Sequence, residues 1–248
     1  MRALIDLDVL CYEIGNLKDD EGHPFPWPVV RKILDDRIEL ILEVTEAESW
    51  QGYLTGSGNF REEIATIIPY KGNRDRGARP FWFAAIYNYL RDVRGAHVVF
   101  GMEADDQLAI DHSNSGGNTI VCSRDKDLKQ VPGWHYTWPS WKQEERFPFY
   151  VNEVDGLRSY YTQLIVGDTA DNILGLYNVG PKSAVVKRIQ EHSDELSMFR
   201  EVKREYELRF GSYWDMFMCE NGRLLWLKRH SNDDWYQRQK ELLNDCRS

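Results

Sequence analysis

The residues best placed to do chemistry in this chain are its carboxylates, because they are grouped. Asp6 closes the apolar run ALID. Glu103, Asp105 and Asp106 follow HVVFG, Asp125 and Asp127 follow TIVCS, and Asp168 and Asp171 lie in GDTADN. A single Asp at such a place is an ordinary turn or helix-cap residue, and acids at a helix start are favoured by its dipole. Carboxylates brought together repel each other and resist desolvation, so four groups at compatible element ends point to a bound cation. Oxygen donors without thiolate or imidazole favour Mg²⁺ or Mn²⁺ over zinc. A pair of such ions is the clamp used for in-line displacement at phosphorus. On a helix Glu103 and Asp106 share a face while Asp105 points away, so a common site requires Glu103 at or before the first turn.

A basic segment forms the counterpart. In PYKGNRDRGAR, Lys71, Arg74, Arg76 and Arg79 stand against the one acid Asp75, with Tyr70 alongside. By itself this is a solvated loop; next to clustered carboxylates it suits a phosphodiester, whose charge the cations would hold. In NVGPKSAVVKR, Gly180 and Pro181 mark a tight turn into a helix, with Lys182, Lys187 and Arg188 in or near its first turns. Backbone N–H groups at a helix start bind phosphate without reading sequence, although a packed helix-turn-helix has the same signature.

The elements that must position these groups alternate. Strands are expected at ALID, ending near Asp6, at Gln51–Thr55, at HVVF and at Asn118–Ser123, with HYTW and FPFYV as later strands. Between them, helical spacing runs from Pro28 to about Glu46 and from Pro80 to Val93, and a further helix opens at Glu103. The pattern predicts an α/β fold with a mostly parallel sheet flanked by helices, and function at the carboxyl ends of its strands. Past Asp155 the strand signals stop and a helical part follows. The domains expected are a core over 1–155 and a helical part over 156–248.

Composition narrows the class. The chain has 248 residues, 40 of them Asp or Glu and 31 Lys or Arg, a net charge of −9. It lacks the broadly basic character of a nonspecific nucleic-acid coat protein and any apolar run long enough to span a membrane. Its scattered cysteines form no CxxC pair, which fits a reducing, cytoplasmic compartment. Neither a GxxxxGK[ST] loop nor a complete GxGxxG is present. Setting aside the eight candidate carboxylates leaves 32 acids against 31 bases, so the excess negative charge is concentrated in the candidate site.

Taken in order, LIDLD, PYKGNR, GMEADDQLA, SRDKDLKQ and GDTADNILGLYNVGPKSA resemble the 5′-nucleases of the flap endonuclease superfamily, particularly the bacteriophage 5′–3′ exonucleases and the 5′-nuclease domain of bacterial DNA polymerase I. The resemblance covers about residues 2 to 192. It implies a PIN-like core and a helix–three-turn–helix at about 157–192 that grips a duplex backbone, with a K⁺ site. It implies two or more Mg²⁺ or Mn²⁺ ions held by Asp6, Glu103, Asp105, Asp106, Asp125, Asp127, Asp168 and Asp171, directly or through water. Lys71 and Arg74 would contact the scissile phosphate and Tyr70 would stack on a base, with Gly180, Lys182 and Ser183 of GPKSA on the DNA backbone. The partner implied is DNA with a 5′ end, nick or 5′ flap, an RNA–DNA hybrid being a further substrate; the protein would act as a monomer without a membrane, in the host cytoplasm if viral. The reaction expected is metal-dependent 5′→3′ cleavage to 5′-phosphate products.

In one respect the chain departs from that family, which usually places an Asp after the second strand. Here Gly56 or Ser57 falls there, leaving Asp8 and Glu62 as alternatives to supply the carboxylate. The departure raises a rival reading, a structure-specific DNA-binding protein with weakened catalysis. An RNA-cleaving PIN-type nuclease shares the acidic core but has no need of the GDTADN…GPKSA hairpin.

Overall fold

The structure, a computed structural model, describes residues 1–74, 79–139 and 146–246. Asp75 and Arg76 of the basic segment lie outside the described residues. The chain divides into two compact units: residues 1–58, 75–128 and 133–151 form the first, and residues 59–74, 129–132 and 152–248 the second.

Among the described residues of the first unit, six strands form one sheet: β1 (Arg2–Asp6), β2 (Ser49–Thr55), β3 (His97–Val99), β4 (Thr119–Cys122), β5 (Gly133–Tyr136) and β6 (Phe149–Val151), in the order β3-β2-β1-β4-β5-β6. All neighbours are parallel except β5 and β6. The helices are α1 (Leu7–Gly15), α2 (Trp27–Thr45), α4 (Phe83–Asp92) and α5 (Ala104–Ser113), with α3 (Phe60–Ile64) belonging to the second unit. The strands are short apolar runs because both faces are covered: Ile5, Leu54, Ile120 and Cys122 are inaccessible to solvent and pack with Leu10, Ile14, Leu34 and Ile38 of the helices. The architecture is the mostly parallel, helix-flanked sheet expected from the alternation.

One helix escaped the pattern reading. α1 begins at Leu7, directly after β1, with Leu7, Leu10, Cys11 and Ile14 on its buried face. The helical period was present, but no turn residues separate it from the strand.

The second unit is helical: α6 (Glu153–Val166), α7 (Ala184–Glu191), α8 (Glu195–Phe210), α9 (Trp214–Leu225) and α10 (Trp235–Asp245), together with α3. Its core is aromatic. Tyr160 packs 4.8 Å from Trp226 and 4.7 Å from Trp235, centroid to centroid. Gly167 and Gly175 adopt φ of 73° and 57°, and a Cβ on either would fall 2.3 Å from backbone of the 167–175 stretch. No other residue type closes the hairpin between α6 and α7 so tightly. Among the described residues no helix is long and apolar enough to cross a membrane.

Candidate active site

In a parallel sheet the carboxyl ends of neighbouring strands share an edge, and β1 lies between β2 and β4. Asp6 ends β1 and serves as N-cap of α1, accepting the Val9 N–H at 3.4 Å. Its other oxygen accepts the Ser123 hydroxyl at 2.8 Å, just beyond β4. The side chain is buried, and burial, reinforced by the nearby negative charges of Asp8 and Asp125, pushes its carboxyl up to about 7. Ser123 and the Val9 N–H pull the other way but do not win.

Asp125 and Asp127 follow in a chain of backbone caps. The Asp125 N–H donates to the Ser123 hydroxyl oxygen at 2.8 Å and the Asp127 N–H to Asp125 Oδ1 at 2.9 Å. Glu103 is the N-cap of α5, as a shared site with Asp106 requires. The Glu103 N–H donates to Asp106 Oδ2 at 3.4 Å, the Asp106 N–H to Asp105 Oδ1 at 2.8 Å, and Asp106 is fully buried.

Two neutral hydroxyls that sequence reasoning missed organise these acids. Ser123 joins Asp6 to Asp125. Thr55, at the end of β2, accepts the Ala104 N–H at 2.9 Å through its hydroxyl and donates its own N–H to the Asp8 carboxylate at 3.1 and 3.3 Å. Hydroxyls leave no charge signature in a sequence; their position at a strand end was the only available sign.

The backbone at Gly56 leaves no room for a side chain. Gly56 donates its N–H to the Val99 carbonyl at 2.7 Å, and a Cβ there would meet that oxygen at 2.7 Å and the Phe100 ring at 2.8 Å. Asp8 brings a carboxylate to the Thr55 N–H instead, whereas Glu62 is on α3 in the second unit.

Tyr70, Lys71 and Arg74 of the basic segment belong to the second unit, whereas Arg79 belongs to the first, its guanidinium 4.9 Å over the Phe83 ring. Tyr70 is 4% exposed and its hydroxyl donates to Asp171 at 2.7 Å, so its ring belongs to the core and is not an open stacking face. Lys71 Nζ stands 3.6 Å from Asp171, and the Arg74 guanidinium pairs with the same carboxylate while donating to the Ala170 carbonyl at 3.0 Å. Asp168 is buried, accepts the Ala170 N–H at 2.8 Å, and exchanges backbone bonds of 2.8 Å with Ile173. Both acids therefore have partners inside their own unit. Ser183 caps α7, with its N–H on the Gly180 carbonyl at 3.0 Å; Gly180 and Lys182 are exposed, and a Cβ at Gly180 would meet open space. Arg188 is committed to Glu201 and Glu205 of α8.

No family model matches the chain, and no curated protein does. Solved structures do. The bacteriophage T5 flap endonuclease, in a pseudo-enzyme–product complex with DNA and metal ions, matches with a TM-score of 0.64 at 18% identity, over 100% of this chain and 99% of the other. The chain has the flap endonuclease fold. The T5 protein co-crystallised with metal ions gives a TM-score of 0.56 at 16% identity over 98% of each chain, and a T5 5′-exonuclease variant gives 0.50 at 15% over 98% of each.

In this flap endonuclease fold the metal question reduces to the donors. Among the described residues no three His, Cys, Asp or Glu side chains are gathered closely enough to enclose an ion as they stand. The chemistry of the set nevertheless fits a hard divalent cation: the donors are carboxylate oxygens, and Asp6 is a buried acid burdened by like charge from Asp8 and Asp125.

Proposed function

We propose that the protein is a divalent-metal-dependent DNA nuclease acting 5′→3′ from an end, a nick or a 5′ branch and leaving 5′-phosphates. The observation that carries the proposal is Asp6: a buried carboxylate at the central strand end, electrostatically coupled to Asp8 and Asp125, in a chain with the flap endonuclease fold. Asp6, Asp8, Glu103, Asp105, Asp106, Asp125 and Asp127 would hold Mg²⁺ or Mn²⁺, which when bound supplies activation of water and neutralisation of phosphate charge.

The chain's own residues do the rest. Ser123 and Thr55 fix the acids through hydrogen bonds, so little reorganisation is left for the reaction. Lys71 and Arg74 grip the phosphate backbone, with Asp171 and Asp168 ordering the turn against which they lie. Gly180 and Lys182 offer backbone N–H groups and a cation to the duplex at the start of α7, where Ser183, its own N–H on the Gly180 carbonyl, shapes the turn that presents them. K⁺ at this hairpin, the monomeric state and use of RNA–DNA hybrids belong to the same proposal.

The test is cleavage of 5′-labelled flap, nicked, blunt and RNA–DNA substrates in Mg²⁺. Asp106→Asn and Asp127→Asn should each slow cleavage by at least about 100-fold, with DNA affinity changed by less than about threefold. Undiminished turnover in both variants overturns the proposal. A wild-type protein that shifts junction DNA on a gel yet leaves every substrate intact in Mg²⁺ and Mn²⁺ is a DNA-binding protein instead.

A further inference from the structure

The segment 59–74 is held at three places inside the second unit. At its far end the turn 168–172 takes Tyr70, Lys71 and Arg74, as described. Nearer its start, Arg61, 1% exposed, donates from Nε to the Leu224 carbonyl at 2.8 Å and from Nη2 to the Trp226 carbonyl at 3.0 Å. Between these, Glu220 of α9 accepts the backbone N–H groups of Thr66 at 3.0 Å and Ile67 at 2.8 Å, and also the Thr66 hydroxyl.

Glu220 is 9% exposed, and a buried carboxylate is costly unless its lone pairs are taken. Here three donors take them, all from one two-residue stretch. Helix α9 itself has no need of the acid: an apolar residue at that place would avoid the desolvation. From Ile67 to Lys71 the chain has little slack. Pro69 has a fixed φ, its carbonyl accepts the Gly72 N–H at 3.0 Å, and the Tyr70 ring is anchored in the core. A displacement at Thr66 or Ile67 therefore passes on to Lys71 and Arg74.

We propose that Glu220 is a positioning residue, acting through the Thr66–Ile67 backbone to set where the phosphate-binding cations Lys71 and Arg74 stand. The C-terminal helices thereby take part in the reaction without touching substrate. This inference rests on the nuclease reading in so far as Lys71 and Arg74 hold phosphate.

The experiment is a double-mutant cycle on single-turnover cleavage of a nicked duplex in Mg²⁺, joined to limited trypsin digestion of the folded proteins. Lys71→Ala alone should slow cleavage by about 100-fold, but by about tenfold or less in a Glu220→Ala background. Glu220→Gln keeps an acceptor oxygen and should stay within about threefold of wild type, with the Lys71→Ala penalty intact. Trypsin should cut after Lys71 and Arg74 faster in Glu220→Ala. If Glu220→Ala does not fold, Thr66→Ala removes one donor and carries the same comparison. An equal Lys71→Ala penalty in both backgrounds overturns the inference. Should the wild type cleave nothing, the nuclease reading fails, and the trypsin comparison decides alone: faster cutting supports the positioning role and unchanged cutting overturns it.

Discussion

The Ser123 hydroxyl donates to Asp6 at 2.8 Å across 117 residues of sequence, and its oxygen accepts the Asp125 N–H at 2.8 Å. One small side chain thus ties the end of the central strand to the acids beyond β4. Ser123→Ala removes both bonds and leaves Asp6 with less to offset its burial. The expected cost is about 1–2 kcal/mol in denaturant unfolding and a drop of about 10–100-fold in metal affinity or cleavage rate. A variant that matches wild type in both denies Ser123 its linking role.

Asp6 should make the metal-free protein sensitive to pH. Its carboxyl ionises near 3.8 in an ordinary setting and at about 7 in the fold, so the folded state holds the proton more tightly. The stability this group contributes is fully present below pH about 4, is lost as pH rises through 7, and stays lost above. Asp6→Asn should therefore flatten the fall in unfolding temperature between pH 5 and 8 and raise stability at pH 8. Adding Mg²⁺ or Mn²⁺ at pH 8 should stabilise wild type and not the variant. A pH slope identical in both proteins would contradict the buried, repelled carboxylate.

Asp8 should matter where Gly56 cannot. Asp8→Asn keeps an acceptor for the Thr55 N–H but removes a charge beside Asp6. Mn²⁺ titration by calorimetry should show about 10–100-fold weaker binding. Placing the acid at the second strand instead, as Gly56→Asp, meets the Val99 carbonyl and the Phe100 ring and should cost about 1–3 kcal/mol without restoring metal binding to Asp8→Asn. Restoration would mean that the β2 end can open.

Lys182 is exposed at the start of α7 and should report backbone contact only. Lys182→Ala should lower the slope of log affinity against log salt by about 0.9 and weaken all duplex sequences alike. An unchanged slope would remove Lys182 from the DNA-binding surface.

Much of the fold could be read from the sequence, because each of the first strands is a short apolar run stopped by an acid or a turn. That acids stand at or just beyond the ends of β1 and β4 and at the start of α5 could be read because the apolar runs stop there. Other features could not. Tyr70 lies among charged residues and gives no hint of burial, since its partner Asp171 is 101 positions away. Glu220 sits in an unexceptional helix, and only the fold shows that Thr66 and Ile67 of a distant loop point their N–H groups at it. Arg188, near the start of α7, gives no sign in the sequence of its partners Glu201 and Glu205 on α8.

The strand order has a further consequence for synthesis. Because β1 lies between β2 and β4, the stretch containing Asp6 leaves the ribosome long before residues 119–123, which give it a second neighbour and its hydroxyl partner. Such distant pairing makes folding slow compared with a locally wired protein. A translation product cut short before β4 carries Asp6 and Glu103 without the Ser123 hydroxyl that holds Asp6 in the folded chain.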